Sequence, residues 1–309
     1  PKRQGMMSLM GVSQVNPASI KASDIAFRLG PRINAAGRMD SANKALNLLL
    51  EDDVIKAGRL AQEIEILNNK RQTITKRIFN QVENVVVKKD KLPNLLFAFH
   101  HDFHQGVVGL VASKLVDKYY RPAIVGEKQD NFTTASCRSI PELNIIAALD
   151  QCKDLLVQHG GHAAAAGFTI SNDNLSIFMD KITAIAKETF QEKKLIPVLN
   201  ADLEVKLSQL KSDTLEYLEW LEPTGYGNPK AKFVSRDVKV SSSRLVGKNG
   251  GHLKLNVTDG KITFDAIAFN QGYWQENLPD FIDIMFTFEE NQYRGRKSLQ
   301  LNIIDIKKS

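Results

Sequence analysis

Several short strings in this 309-residue sequence carry groups suited to holding an anion. In the first string, Arg32, Asn34 and Arg38 follow a Gly-Pro dipeptide, which predicts a turn that opens onto a helix. Two guanidiniums beside unpaired backbone N–H groups can clamp a phosphate. The alternative is a turn whose arginines pair with Asp24 or Asp40, and residue types alone do not separate the two.

The second string, before a predicted helix, contains His104 and Gln105 followed by Gly106. Glycine lets a ligand approach a helix N-terminus, where N–H groups and the helix dipole favour an anion. Close helix packing explains such a glycine at least as well. With His104, the neighbouring His100 and His101 suggest zinc, but no carboxylate or cysteine completes the set at a usual spacing, so we predict that the chain binds no metal.

A third string places two hydroxyls and a guanidinium at the end of a predicted strand. Ser136, Arg138 and Ser139 are all hydrogen-bond donors suited to a phosphate.

A fourth string is the most unusual in the chain, because two glycines are followed by a histidine and four alanines. Gly160 and Gly161 predict a tight turn that presents His162. That histidine could donate to a phosphate or assist a leaving group. A structural histidine that caps an alanine-rich helix is the alternative.

Aromatic and basic residues alternate in the last third of the chain, a pattern that suits base stacking along a single strand. Because strands alternate faces, about half of the aromatic residues must be core. The residues are Lys254, Phe264, Phe269, Tyr273, Trp274, Tyr293, Arg294 and Arg296, of which the last three fall in a predicted exposed loop.

The elements that position these strings predict a multidomain α/β protein. Apolar residues at helical spacing from residue 52 to about 90 predict one long helix that connects two domains. Alternating strands and helices over 91–196 predict a mixed α/β domain. Five or six short strands over 197–309, with a hairpin turn at Asp259-Gly260, predict a small barrel of the OB type. Residues 1–51 precede the long helix.

Charge and composition narrow the class of protein further. Residues 1–90 hold 15 basic and 9 acidic side chains, which accounts for the whole net charge of +6. This excess suits a polyanionic partner, although a solvated helix face explains it too. No apolar run is long enough to span a membrane. The two cysteines cannot form a disulfide framework, which indicates the reducing cytoplasm.

A reaction centre is not visible in the sequence. A two-metal phosphoesterase needs clustered Asp and His ligands, yet the chain has no Asp-x-Asp or Asp-His-His string. It also lacks a Walker-type loop and a Gly-x-Ser-x-Gly elbow.

Taken in order, the strings resemble those of the RecJ family, bacterial single-strand-specific 5′→3′ DNA exonucleases of the DHH phosphoesterase superfamily. The similar strings are 30–38 (GPRINAAGR), 103–115 (FHQGVVGLVASKL), 136–141 (SCRSIP), 160–167 (GGHAAAAG), 221–229 (LEPTGYGNP), 253–260 (LKLNVTDG), 264–270 (FDAIAFN) and 293–301 (YRGRKSLQL).

The resemblance implies a catalytic domain that binds Mn²⁺ or Mg²⁺ and ends before the first of these strings. The chain therefore looks like a carboxyl-terminal fragment: the tail of that domain (1–51), a connecting helix (52–90), a DHH-associated domain (91–196) and an OB domain (197–309). The partner implied is single-stranded DNA with a 5′ end, and repair proteins are possible further partners.

The same resemblance assigns roles to individual residues. It makes Arg32, Ser136, Arg138 and His162 candidate contacts to phosphates near the 5′ end, with His162 also stabilising charge on the scissile phosphate. It gives weaker support to Asn34 and Arg38. In the OB domain it favours Tyr293, Arg294 and Arg296 as contacts to the strand.

We therefore expect the chain to be the substrate-binding part of a metal-dependent exonuclease. One alternative is a non-catalytic module that binds single-stranded nucleic acid. Another is a phosphodiesterase of the same superfamily that acts on small oligonucleotides.

Overall fold

The computed structural model describes residues 3–86, 92–191, 193–293 and 295–309. The chain divides into two compact units, Pro1–Pro197 and Val198–Ser309. Among the described residues, no helix is both long and apolar enough to cross a membrane.

Helices form the first part of unit 1. They are α1 (Gln4–Val12), α2 (Ala22–Asp24), α3 (Gly30–Met39), α4 (Ala42–Leu50) and α5 (Val54–Val86), with a π-helical turn over Ile25–Leu29 between α2 and α3. Leu9, Leu48 and Ile64 lie in the core that these helices share. The turn predicted at Gly30-Pro31 is wrong, because both residues begin α3, where proline in the first turn gives up no needed hydrogen bond.

A five-stranded sheet forms the rest of unit 1. Its elements are β1 (Leu96–His100), α6 (Gln105–Tyr119), β2 (Ala123–Lys128), β3 (Phe132–Arg138), α7 (Ile145–Asp150), β4 (Leu156–His162), β5 (Ala165–Ser171) and α8 (Leu175–Phe190). The strand order is β1-β2-β3-β5-β4, and only β1 and β2 run parallel. The mixed α/β prediction is confirmed.

The two faces of this sheet are covered differently. Helices α7 and α8 pack on one face, where Phe168 contacts Phe178 with ring centroids 4.7 Å apart. On the other face, Val111 and Leu115 of α6 pack with Val125 and with Ile78 of α5. Helix α6 lies over β2 and β3, whereas the side chains of β4 on this face are exposed. A polar strip of sheet therefore borders α6.

Unit 2 is a closed barrel of the OB type, as predicted. Its elements are β6 (Leu203–Glu204), α9 (Ser212–Glu219), β7 (Phe233–Val246), β8 (His252–Thr258), β9 (Thr263–Ala268), β10 (Phe281–Tyr293) and β11 (Arg296–Lys308). The order β7-β8-β9-β11-β10 closes through pairing of β10 with β7. Phe264, predicted to be core, is buried and packs edge-on against Phe288.

Asp259 anchors the turn between β8 and β9. Its carboxylate accepts hydrogen bonds from the backbone N–H of Ser208 at 2.7 Å and of Lys261 and Ile262 at 3.1 Å. Burial opposes ionisation, but these donors outweigh it and lower the pKa of Asp259 to about 2.

This carboxylate should make unit 2 sensitive to acid. A lowered pKa contributes stability above the unfolded value of about 4, and that stability is lost as the pH falls towards 2. After allowance for partial exposure, Asp259→Asn should lower the free energy of unfolding by about 1 kcal/mol at neutral pH and remove most of this acid dependence. Tryptophan fluorescence during urea unfolding reports on this unit, because Trp220 and Trp274 both belong to it. Asp305→Asn, at an exposed strand position, is the control; equal acid profiles for the two variants would contradict the prediction.

Candidate phosphate and nucleic-acid interface

Three arginines from separate elements of unit 1 converge on one place. Arg38 ends α3, Arg71 lies in α5 and Arg138 ends β3. Burial lowers the pKa of Arg138 and of Arg71, and repulsion by Arg38 lowers both further. Among the described residues, none of the three forms an ion pair with a carboxylate. A partly buried group of like charges that lacks a counterion is a strong attractant for an anion.

The hydrogen bonds of these arginines leave donors available. Arg138 Nη1 donates to the carbonyl of Cys137 at 2.7 Å, and Arg38 Nη1 donates to the carbonyl of Gly106 at 3.2 Å. Arg71 Nη2 donates to Asn68 Oδ1 at 2.9 Å, while its buried Nε has no hydrogen-bond partner in the described part of the chain. Each guanidinium carries five N–H donors, so most remain for a ligand.

Glycines in α6 allow the arginines to approach. A Cβ at Gly106 would lie 1.9 Å from the carbonyl oxygen of Arg38, so only glycine permits the contact between α3 and α6. A Cβ at Gly109 would lie 3.1 Å from Arg138 Nη2 and 3.4 Å from Ser136 Oγ. The close-packing explanation of these glycines therefore holds, and it also serves to place Arg138 and Ser136.

Gly109→Ala offers a small, local test of this arrangement. The added methyl should push the end of Arg138 by a few tenths of an ångström, while alanine favours the helix by up to about 1 kcal/mol. We expect several-fold weaker phosphate binding without loss of stability, because the guanidinium moves and the core does not. Anisotropy with a labelled oligonucleotide and urea unfolding measure the two quantities. Unchanged affinity would mean that Arg138 does not contact the ligand.

The polar strip of the sheet continues from Arg138 across β5 to β4. Arg138 pairs with Ala165, which pairs with His162, so the three side chains form one row. The small side chain of Ala165 lets Arg138 and His162, about 10 Å apart across two strand spacings, reach over it towards one group. In the next row Ser136 faces Gly167 and Gly160, which leave the backbone open.

A cleft of about 370 Å³ lies beside the Arg138–His162 row, over the row of Ser136, Gly167 and Gly160. Gln105 of α6 lines its edge, and a third row of Thr134, Thr169 and Gln158 extends it. Hydroxyl and amide groups in these positions can hydrogen-bond a sugar or a base as well as a phosphate.

The structure corrects the predicted turn at the glycines. Gly160 and Gly161 belong to strand β4, and the chain reverses at Ala163 and Ala164. Gly161 has φ +148°, and a Cβ there would lie 2.5 Å from Ala166 Cα, so glycine is required by close strand packing. The alanine-rich segment is therefore a hairpin, and the alternative of a histidine-capped helix is wrong.

His162 is exposed, and its ring is oriented by the hairpin. Its Nδ1 accepts a hydrogen bond from the backbone N–H of Ala164 at 3.4 Å. In the neutral ring, Nε2 then carries the proton and can donate to a ligand over the strip.

Other residues of the strings mentioned first have partners within the protein. Arg32 forms a two-pronged ion pair with Glu65 in place of the considered Asp24 or Asp40. His104 Nδ1 caps α6 by accepting from the N–H of Gly106 at 3.0 Å, and Ser139 Oγ donates to the carbonyl of Leu143 at 2.7 Å. Asn34 is exposed on α3. Their predicted phosphate contacts stay predictions, and for Arg32 and Ser139 these internal partners compete with a ligand.

In unit 2, Lys254 Nζ forms an ion pair with Asp265, which also accepts from Gln300 Nε2 at 2.9 Å. Its predicted contact to a strand would require this pair to open. Arg294 lies outside the described residues, as do the side chains of Tyr293 and Arg296, so those predictions stay as they were.

Metal-binding groups are few in the described ranges. A single group of three has its ligand atoms within 4.8 Å of one another, namely those of His100, His101 and Asp102. The structure thus puts Asp102 with the two histidines, whereas His104 caps α6. One carboxylate and two imidazoles at an exposed strand end do not fit a site for two Mg²⁺ or Mn²⁺ ions, which prefer shared oxygen ligands.

One residue of the arginine group is not apparent from the sequence. Arg71 looks like any basic residue on a long amphipathic helix, and no local pattern distinguishes it. The tertiary contact of α5 with α3 and α6 places it.

Comparisons with known proteins agree with both units. The model of the DHHA1 domain matches residues 92–192, and that of the RecJ OB domain matches residues 201–305. A single-stranded-DNA-specific exonuclease RecJ from Bacillus subtilis is 31% identical over 98% of this chain and 39% of its own length. The protein of that name from Escherichia coli is 31% identical over 98% of this chain and 54% of its own length.

A solved structure is similar as well. The crystal structure of RecJ from Thermus thermophilus in complex with Mg²⁺ aligns with a TM-score of 0.83 and 28% identity, covering 99% of this chain and 46% of that one. A second structure of that protein contains Mn²⁺ and aligns with a TM-score of 0.84. The chain spans about half the length of these relatives or less. By its two domains, their order and its relatives, the chain belongs to the RecJ family.

Proposed function

We propose that this chain is the substrate-binding part of a metal-dependent 5′→3′ exonuclease specific for single-stranded DNA. The observation that carries the proposal is the group of three partly buried arginines, Arg38, Arg71 and Arg138, without a carboxylate partner among the described residues. Its relatives are named as exonucleases of this specificity, which supports DNA as the source of the phosphate.

In this proposal the 5′ phosphate of the strand lies over the polar strip. Arg138 donates two N–H groups from its planar fork, and Ser136 adds a hydroxyl. His162 donates from Nε2 to a phosphate oxygen, which orients the scissile bond and stabilises the charge that develops on it. Helix α6 and the sheet hold all three groups before the substrate arrives.

We expect the ligands of the catalytic metal ions to come from residues other than those that the structure describes. Mn²⁺ or Mg²⁺, present in the solved relatives, would need a carboxylate cluster that the described residues do not supply. We therefore expect binding without cleavage from this chain alone. The family assignment further supports a role in DNA repair and recombination, and two buried free thiols suit the cytoplasm.

Binding of a labelled single strand tests the proposal. A 3′-fluorescent oligonucleotide with a 5′ phosphate should bind in EDTA, at least tenfold more tightly than its 5′-hydroxyl form, with affinity that falls steeply as salt rises. Adding Mn²⁺ should leave its length unchanged. Equal affinity for the two 5′ ends would overturn the assignment of the arginine group, and shortening from the 5′ end would reveal a reaction centre within the chain.

A further inference from the structure

A second basic groove lies between α5 and α6 in unit 1. It encloses about 760 Å³ and is lined by Arg71, Lys76, Phe79, Asn80, Ser113 and Lys114, among others. None of its described lining residues is acidic. Three cations without a facing carboxylate favour an anionic ligand.

The groove ends where its charge is neutralised. Lys118, one turn beyond Lys114 on α6, forms an ion pair with Glu83, which also accepts from the hydroxyl of Tyr119 at 2.6 Å. Lys114 and Lys118 both lie over the ring of Phe79, at 5.9 and 5.7 Å from its centroid. Only Lys114 of these two remains available to a ligand within the described part of the chain, so the row of available cations ends near Phe79.

The groove is continuous with the arginine group. Arg71 lines the groove and is also close enough to Arg38 for their charges to repel. On α6, Ser113 lines the groove one turn after Gly109, the residue that contacts Arg138, and its Oγ donates to the carbonyl of Gly109 at 3.1 Å. From Arg71 to Asn80 the helix rises by about 14 Å. A basic track therefore runs from Arg138 past Arg38 and Arg71 to Lys114.

We propose that this groove binds the phosphodiester groups of the same strand that follow its 5′ phosphate. The proposal rests on the proposed function, because it needs a strand whose end lies at Arg138. Lys76 and Lys114 contact backbone phosphates. A nucleic-acid strand shares its phosphate chemistry with free nucleotides, and the length of the strand separates the two sources.

The test compares a 5′-phosphorylated trinucleotide with a twelve-nucleotide strand, both labelled at the 3′ end. The variant combines Lys76→Ala with Lys114→Ala. Its control combines Lys181→Ala with Lys187→Ala, which removes equal charge from exposed positions of α8 on the opposite face of the sheet. Circular dichroism verifies that both variants fold.

For the long strand, we expect the groove variant to bind about tenfold more weakly than the control. The slope of log K against log salt concentration should be smaller in magnitude by about 1.4, which corresponds to two lost phosphate contacts. Binding of the trinucleotide should match the control. Equal binding of the long strand by both variants would overturn the proposal that the groove binds the strand. So would an equal loss of affinity for the trinucleotide and the long strand in the groove variant. Competition by thymidine monophosphate against the long strand in the Arg138→Ala background would assign the groove to free nucleotides instead, which also overturns the proposal.

The two proposals fail in different ways. If the trinucleotide shows no preference for a 5′ phosphate, the proposed function is at fault. If that preference stands and the longer strand gains nothing from Lys76 and Lys114, the groove alone is excluded.

Discussion

Arg138→Ala should weaken binding of a 5′-phosphorylated single strand by roughly tenfold to a hundredfold. This is the loss of affinity expected when a charge-assisted hydrogen bond is removed. The expected loss is large because this guanidinium is partly buried and faces no carboxylate among the described residues, so the ligand is its main source of compensation. For the same reason the variant should keep or gain stability, because it removes a desolvated charge that Arg38 repels. Anisotropy gives the affinity and urea unfolding gives the free energy of unfolding.

Two further variants separate geometry from charge. Arg138→Lys keeps the charge and loses the planar fork, so we expect an intermediate affinity. Arg59→Ala removes an exposed arginine of α5 outside the group and should change affinity little. Wild-type affinity in Arg138→Ala, with preserved preference for a 5′ phosphate, would place the phosphate elsewhere.

Gly106→Ala should destabilise unit 1 by about 2–3 kcal/mol and also weaken phosphate binding. A Cβ at this position would overlap the backbone carbonyl of Arg38, which cannot rotate away as a side chain can. Helices α3 and α6 must then separate, and the hydrogen bond from Arg38 Nη1 to the carbonyl of Gly106 is lost. Arg38 thereby leaves the arginine group.

The matched control is Gly58→Ala in helix α5. Outside its own stretch of helix, no atom of the described residues lies within 4 Å of a Cβ at Gly58, so alanine should raise stability by roughly 0.5–1 kcal/mol through helix propensity alone. Circular dichroism at the helix band follows unit 1, which contains all but one of the described α-helices. Opposite signs for the two variants are the expected result. A stable Gly106→Ala protein would show that the contact between α3 and α6 is looser than described.

Local chemistry explains most of what could be predicted from the sequence. Proline and glycine punctuation, helical spacing and strand alternation indicated the long helix, the α/β domain and the barrel, because these signals arise from neighbours along the chain. Residue types also indicated an anion site, since Ser136, Arg138 and His162 can all donate hydrogen bonds to a phosphate. The strings occur in the order seen in the RecJ family, and this resemblance implied the substrate.

Contacts between distant segments decided the rest. The packing of α5 against α3 brings Arg71 close to Arg38 and brings Glu65 to Arg32. Gly160 and Gly161 are strand residues because they pair with β5, although glycine is locally favoured in turns. From the sequence come the groups that can bind a phosphate, whereas tertiary packing selects those that remain unpaired. The physical reason is that charge pairing and burial depend on distances between residues far apart in the chain.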